Sequence, residues 1–261
     1  MLIALASLNQ YWEDKSANLS NCRELFYEAK SHNAQVIMFP EMTLTGFSMN
    51  IGITAEDEET SPTVESFRQL SNEFGIGTIF GVVFQHNKKA TNNAVFIDKT
   101  GETIGKYQKV HPFSFSGEDK YFEVGKEILS VDFGLLKMGV TICYDLRFPE
   151  IYSALGVKSN LIVNIANWPA KRIEHWTTLL RARAIENQVY IAGVNRIGTD
   201  QNGLDYVKSS IAVNPNGEIL EPIYAGEELD IYEVDKAALS EFKTRFSTTQ
   251  DRNPVFYKSI L

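Results

Sequence analysis

The spacing of apolar and polar positions divides the chain into short buried strands and amphipathic helices. Leu2 to Asn9 alternates weakly and predicts a core strand. Asp14 to Asn33 has helical spacing at Leu19, Cys22, Leu25, Phe26 and Ala29, with Asp14 or Ser16 as candidate cap. Val36 to Phe39 predicts a buried strand that Pro40 closes just before Glu41, and Gly46 permits a sharp turn in the loop Met42 to Phe47. The acidic loop Glu56 to Thr60 reads as solvated surface ahead of a helix from about Thr63 to Phe74. Gly75 to Gln85 and Asn93 to Ile97 predict strands joined by the polar loop Asn87 to Asn92. After a turn at Lys99-Thr100-Gly101, a strand over Glu102 to Tyr107 delivers Lys109 at its end.

Val110 to Lys126 is long, aromatic-rich and without periodicity, and loops of that length in a compact domain usually serve a site. Ile128 to Phe133 and Leu135 to Ile142 predict a hairpin around Gly134. The β-branched run Met138 to Ile142 ends at Cys143, after which Pro149-Glu150 opens a short helix to about Leu155. A strand (Leu161 to Ala166), a loop (Asn167 to Lys171), an amphipathic helix (Arg172 to Asn187) and a strand (Val189 to Asn195) follow. Ser209 to Val213 and Glu218 to Pro222 are expected to pair across Asn214-Pro215-Asn216-Gly217. Glu228 to Val234 adds a strand, and Leu239 to Leu261 forms a C-terminal arm. No linker-like stretch interrupts this order, so residues 1–261 are expected to form one domain. Hairpins mixed with βα units predict an α/β fold with two sheets face to face and helices outside, a four-layer αββα sandwich.

Composition narrows the class. An apolar share of 44% with 22% charged residues suits a soluble globular protein, and no apolar run is long enough to span a membrane. The N-terminus lacks a basic region and reaches acidic residues by Glu13, so it reads as a strand rather than a signal peptide. Two cysteines, Cys22 and Cys143, make no disulfide framework and imply a reducing, cytoplasmic setting. Net charge of −8 opposes nucleic-acid binding.

Three polar residues stand directly after predicted strands: Glu41, Lys109 and Cys143. Strand ends on one side of a sheet converge in space, and ligand sites favour that edge. A thiol needs a base to become a thiolate, and a carboxylate serves if burial raises its pKa. A buried carboxylate and thiolate together need a cation, which Lys109 supplies. The same ammonium is placed to stabilise the oxyanion formed when sulfur attacks a carbonyl or nitrile carbon, with the backbone N–H of Tyr144 as second donor. Cys22 falls on a helix's apolar face and reads as core. A Cys–His alternative needs His32, His86, His111 or His175. His32 and His86 read as solvated, His111 is close to Lys109 without a separate signal as base, and His175 reads as packing on its helix. No His or Cys spacing matches a metal ligand set. A non-catalytic binding module leaves the three aligned polar residues unexplained.

These residues carry a family resemblance. Glu41 in PEMTLTGF, Lys109 in YQKVHPF and Cys143 in ICYDLRFPE resemble the Glu-Lys-Cys motifs of the nitrilase superfamily, the carbon–nitrogen hydrolases. The likeness continues through NWPAKR (Asn167 to Arg172), RARAIENQVYIAGVNR (Arg181 to Arg196) and NPNGEI (Asn214 to Ile219). It implies an αββα fold, hydrolysis without a cofactor through a cysteine thioester, and homodimers that join two sandwiches. It also implies that Glu118 is a second, positioning glutamate. The CYDLRFPE form, short length and NWP loop are most similar to the omega-amidase branch, which hydrolyses 2-oxoglutaramate and 2-oxosuccinamate to the oxo-diacid and ammonia. Tyr-Asp after the cysteine departs from the true nitrilases, and carbamoyl-amine hydrolysis stands as the runner-up. An omega-amide of a 2-oxo acid carries a carboxylate far from the scissile bond. Arg172, after Trp168-Pro169, is the first candidate to bind it and Arg147 the second, with Trp168 and His111 as further candidates to line the site. Arg147 paired to Asp145 or Glu150 is the alternative.

Overall fold

The computed structural model describes residues 1–260. The chain begins with β1 (Leu2–Ala6), α1 (Lys15–Ser31), β2 (Val36–Met38), a single turn α2 (Ile51–Thr54) and α3 (Pro62–Phe74). Three long strands follow, β3 (Gly77–His86), β4 (Lys89–Ile97) and β5 (Thr103–Gln108), and then a second single turn, α4 (Glu118–Tyr121). The next stretch alternates as β6 (Ser130–Phe133), β7 (Leu136–Ile142), α5 (Pro149–Gly156), β8 (Leu161–Ala166), α6 (Ile173–Asn187) and β9 (Tyr190–Asn195). It is followed by a small hairpin, β10 (Gly198–Thr199) and β11 (Asp205–Tyr206), and by β12 (Ile211–Val213), β13 (Tyr224–Ala225) and β14 (Leu229–Glu233). Helices α7 (Lys236–Arg245) and α8 (Pro254–Ile260) form the C-terminal arm, whose last residue, Leu261, lies outside the described residues.

Two mixed sheets result. The larger has seven strands in the order β13-β14-β1-β2-β3-β4-β5, and the smaller has five in the order β12-β9-β8-β7-β6. Strand periodicity assigns the layers. In β1 and β2, Ile3, Leu5, Val36 and Met38 face the smaller sheet's Met138, Val140 and Ile142, forming one core between the sheets. The alternate residues Ala4, Ala6 and Ile37 face outward onto Phe26 of α1 and Phe67 of α3, forming a second core. On the smaller sheet's outer side, Thr141 bonds Tyr152 of α5 at 2.6 Å. The order is therefore helix, sheet, sheet, helix: the four-layer αββα sandwich expected. Strands covered on both faces read as unbroken apolar runs, which is why Leu161–Ala166 is buried throughout. No described helix is long and apolar enough to cross a membrane.

Several expectations need correction. The polar stretch Asn87 to Asn92 is not a loop. Asn87, at φ +53°, turns the chain tightly, and Lys89 onward pairs in register with β3. Asn tolerates that left-handed conformation, so two residues suffice for the turn. Glu56 is buried rather than solvated, because Lys15, Ser61 and Thr63 all donate to its carboxylate. Glu218 to Pro222 meets β12 only at Val213–Ile219 and the Leu220 N–H bond to Ala212 O, since Pro222 has no N–H to extend a ladder. His175 is exposed on α6 instead of packed. The C-terminal arm is helical. Asp235 caps α7 through Ala237 N–H, yet only Leu239 of that helix is buried, which explains the weak periodicity.

Candidate active site

Each expected residue sits where a strand ends, and the two sheets bring their ends together. Glu41 follows β2 in a tight turn with Met42 at φ +46°. Gln10 Nε2 holds this turn by donating to the carbonyls of Glu41, Met42 and Thr43 at 3.1, 2.9 and 3.1 Å. Gly81 of β3 lies directly beneath, where an added Cβ would fall 2.3 Å from Met42 N and 2.9 Å from Glu41 Cα. Only glycine lets the two backbones approach so closely. Gly81→Ala is therefore expected to lower stability by about 1–3 kcal/mol through overpacking. Displacing the Glu41 carboxylate should cost roughly 10²-fold in turnover. A thermal melt and a rate assay check both, and a variant with unchanged turnover would show that the turn does not depend on this contact.

Lys109 extends from the end of β5, fixed by its N–H bond to Asn92 O at 2.9 Å and by Gly125 N–H bonding its carbonyl at 2.8 Å. The residue is 1% exposed. Its ammonium donates to Glu41 Oε1 at 2.8 Å and to both oxygens of Glu118 at 3.0 and 2.9 Å. It also lies 5.3 Å from the centre of the Phe47 ring. Burial opposes the ammonium's charge, but Glu118 and Glu41 outweigh it and hold the Lys109 pKa above its ordinary value. Glu118 opens α4 after Gly117 and is fully buried, with Phe113 N–H donating to it at 2.5 Å. Burial pushes the Glu118 carboxyl upward, with Lys109 pulling against it and Glu41 adding to the rise. Asn92 Nδ2 bridges the two carboxylates, at 2.8 Å from Glu41 Oε1 and 3.0 Å from Glu118 Oε1.

Cys143 comes from the other sheet. It ends β7 at φ +45°, a left-handed conformation that costs a non-glycine residue about 1–2 kcal/mol, and begins a 3₁₀ turn through Arg147. Strain of this kind collects at functional sites. Burial raises the Cys143 thiol's pKa first and the Glu41 carboxylate raises it further, against the pull of Lys109, so the sulfur rests protonated. Asn167, just after β8, ties the two halves together. Its N–H donates to Glu41 Oε2 at 3.2 Å, its Nδ2 to Glu41 O at 2.7 Å, and its carbonyl lies 3.9 Å from Cys143 Sγ. Carboxylate and thiol thus contact the two consecutive peptide groups on either side of the Asn167 Cα. Tyr144, second in the 3₁₀ turn, has no intrahelical acceptor for its N–H.

The thiol opens into a cavity of about 380 Å³. Trp12, Phe47, Phe113, Tyr144 and Trp168 give it aromatic walls, and the β10–β11 hairpin adds Asp200, Asn202, Leu204 and Tyr206. Arg147 and Arg172 both line it. The Arg147 guanidinium lies 4.9 Å from the Trp168 ring centre and that of Arg172 5.5 Å from Phe113. Arg147 does not pair with Asp145 or Glu150, and among the described residues neither arginine forms an ion pair with a carboxylate. Asp145 is instead consumed by Ile142 N–H, Tyr107 Oη and His111. Asp200 is also engaged, accepting from Asn202 N–H, Leu204 N–H and Tyr206 Oη. His111 is not on the cavity wall: it stacks on Phe148 with ring centres 3.8 Å apart. Asn92 has no role in the sequence reading, Asn167 and Phe47 enter it only within motifs, and Asp145 only as an alternative partner for Arg147. The signal that could have marked Asn92 is a polar pair, Asn92-Asn93, leading into a strand's apolar run. A half-buried thiol with a buried carboxylate and ammonium around one opening is equipped for nucleophilic attack on an electrophilic carbon. Among the described residues, no group of three or more His, Cys, Asp or Glu is arranged to hold a metal.

Comparison with known proteins agrees with this geometry. The carbon-nitrogen hydrolase family model matches residues 2–244. The chain is 35% identical over 242 residues to the omega-amidase YafV of Yersinia enterocolitica, covering 92% of each. It is 31% identical over 199 residues to a 2-oxoglutaramate amidase of Bacillus subtilis, covering 76% of each. Among solved structures, XC1258 of Xanthomonas campestris, a CN-hydrolase superfamily protein with an arsenic adduct in its active site, superposes with a TM-score of 0.90. That match has 30% identity and covers 97% of both chains.

Proposed function

This chain belongs to the carbon–nitrogen hydrolase family, and on that premise we propose that it hydrolyses the omega-amide of a 2-oxo dicarboxylic acid, such as 2-oxoglutaramate or 2-oxosuccinamate. The observation that carries the substrate class is the pair of guanidiniums, Arg147 and Arg172, that line the cavity beside Cys143 without a carboxylate partner among the described residues. A cavity of aromatic walls with two cations not neutralised by a carboxylate suits a small planar substrate that ends in one. The omega-amidase and 2-oxoglutaramate amidase relatives support the same reading.

Cys143 is the nucleophile, Glu41 the general base, and Lys109 with Tyr144 N–H the oxyanion donors. Glu41 takes the thiol proton as sulfur forms a bond to the amide carbon, and the carbonyl oxygen gains the electron pair. A lysine has three N–H donors. One is committed to Glu41 and a second is shared between the two oxygens of Glu118, which leaves the third for the oxyanion. Collapse breaks the C–N bond, Glu41 returns its proton to the nitrogen, and ammonia leaves a thioester. Water, deprotonated by Glu41, then attacks the thioester; the acid departs and the thiol regains the proton. Glu118 holds the ammonium in place throughout. The reading includes a homodimer in a cytoplasmic setting. Light scattering that returned the mass of a single chain would remove the dimer.

Ammonia release from 2-oxoglutaramate, set beside that from a neutral short-chain amide, tests the assignment. Arg172→Met and Arg147→Met are each expected to raise KM for 2-oxoglutaramate by about 10- to 10²-fold, as for a lost charge-assisted hydrogen bond. The neutral amide should be nearly unaffected, because only uniform binding of the remote charge is removed. Equal losses on both amides would show that the arginines hold the loops rather than the substrate. Preferred turnover of a carbamoyl-amine or nitrile would move the enzyme to another branch of the family.

A further inference from the structure

Asp145, two residues after Cys143, is fully buried and lies off the cavity wall. Four donors converge on its two oxygens. Ile142 N–H and Tyr107 Oη reach Oδ2 at 2.9 and 2.7 Å, while His111 N–H and Nδ1 reach Oδ1 at 2.9 and 2.8 Å. The carboxylate has no proton to give, so Nδ1 carries one. Ile142 is the residue immediately before the strained Cys143, and Tyr107 and His111 flank Lys109 on either side. Tyr107 lies at the end of the seven-stranded sheet and Ile142 at the end of the five-stranded one. One carboxylate therefore joins the turn carrying the thiol to the segment carrying the ammonium, across the interface between the sheets. The Tyr107 phenol in turn accepts from Val110 N–H at 3.3 Å, which bends the chain just past Lys109.

We propose that Asp145 is a positioning residue for the hydrolysis, setting the placement of Cys143 relative to Lys109 through Ile142, Tyr107 and His111. It touches neither substrate nor reacting atoms. Its effect falls on the attack of sulfur on carbon, where the thiol, the oxyanion donors and the base must be in register. Substrate binding depends on Arg147, Arg172 and the aromatic walls, none of whose side chains hydrogen-bonds to the Asp145 carboxylate. This inference rests on the thioester reading above.

The test compares Asp145→Asn, Tyr107→Phe and His111→Phe. Asn keeps one acceptor oxygen and turns an NH₂ group toward one backbone N–H, of Ile142 or of His111, so at least one of the four bonds is lost and the charge with it. Tyr107→Phe deletes one donor and leaves the carboxylate and the ring. His111→Phe deletes another and leaves an aromatic ring for the Phe148 stack. Asp145→Asn is expected to lower kcat about 10²-fold, the scale of a small misplacement of reacting groups. Tyr107→Phe and His111→Phe should each lower it about 10-fold, as for one lost buried hydrogen bond. KM should stay within about twofold, since the binding walls are intact. Labelling of Cys143 by iodoacetamide, followed by mass spectrometry on folded protein, should slow in the same order. If Asp145→Asn does not fold, the two donor variants decide. A kcat within twofold of wild type in both, or a fall in kcat matched by the loss of folded protein with labelling unchanged, overturns the proposal. Labelling displaces iodide and needs no amide hydrolysis, so labelling that slows in this order across the variants, with a wild type that hydrolyses no 2-oxo amide, would overturn the substrate assignment and leave Asp145's role standing.

Discussion

Cys143→Ala is expected to lose turnover by about 10⁴-fold or more, the scale seen when an enzyme loses its attacking atom. No other group at the site can form the covalent intermediate. Glu41 and Glu118 are tied to Lys109 and Asn92, and the hydroxyl of Ser116 lies on the cavity wall apart from the base. The fold should survive. Alanine accepts the same left-handed backbone at the cost already borne by cysteine, and the only hydrogen bond lost is a 3.9 Å contact to Asn167 O. A melting temperature within a few degrees of wild type, with no ammonia released, is the expected pair of results. Alkylation should inactivate the native enzyme by labelling Cys143 alone. Cys22 is wholly buried on the inner face of α1, out of reach of a reagent that enters the cavity at Cys143, and burial followed by the nearby Glu228 raises its pKa. Full activity in Cys143→Ala would overturn the mechanism.

Lys109→Met is the second large effect, and it carries a pH signature. Turnover should fall by at least about 10²–10³-fold, the usual cost of one oxyanion donor. Stability should fall as well, by about 3–5 kcal/mol near neutral pH, because two buried carboxylates lose their only cation. Both the folded-state pKa of Lys109 and that of Glu118 stand above their ordinary values. In the wild type, the lysine's contribution is complete below its ordinary pKa and is lost as pH rises above it. In the variant no ammonium remains to pull the Glu118 carboxyl down. Its folded-state pKa rises further, so its protonated form is favoured and the stability deficit shrinks as pH falls. Melting temperatures of the two proteins should therefore converge between about pH 8 and pH 5. A deficit that is constant across that window would mean that the carboxylates are compensated elsewhere. Lys109→Arg should fail in turnover too, since a planar guanidinium cannot replace a compact ammonium held by three oxygens.

The parts of this site that sequence made legible are those attached to an apolar run. Val36 to Met38 and Met138 to Ile142 are buried on both faces, so each reads as an unbroken hydrophobic segment, and Glu41 and Cys143 are conspicuous as the polar residues that follow. Lys109 was visible only as the polar residue just past a strand, since β5 is partly exposed and is not an apolar run. Asn92 was hidden by the opposite circumstance. It lies within a buried strand, but its side chain faces the carboxylates, so the polar run Asn-Lys-Lys-Ala-Thr-Asn imitates a loop. Glu118 was reachable only through family resemblance, because nothing local distinguishes it from Asp119 or Glu123 until the chain folds back onto Phe113. The ranking of Arg172 above Arg147 had no support from packing. Both reach the cavity, since Asp145, the expected partner of Arg147, is taken by groups distant in sequence.

The origin of the cavity walls bears on how such a protein changes over generations. The reacting atoms come from residues adjoining β2, β5, β7 and α4, held by the junction of two sheets. Much of the rim comes from side chains that bear no such burden: those of the 200–206 hairpin and of the Phe113–Ser116 turn, where only the Phe113 backbone bonds Glu118. Mutations in those segments can reshape what is admitted while the thiol, the base and the ammonium keep their spacing. Divergence in substrate preference is thus cheap for this architecture, and a laboratory library aimed at a new amide belongs in the hairpin and the turn rather than in the sheets.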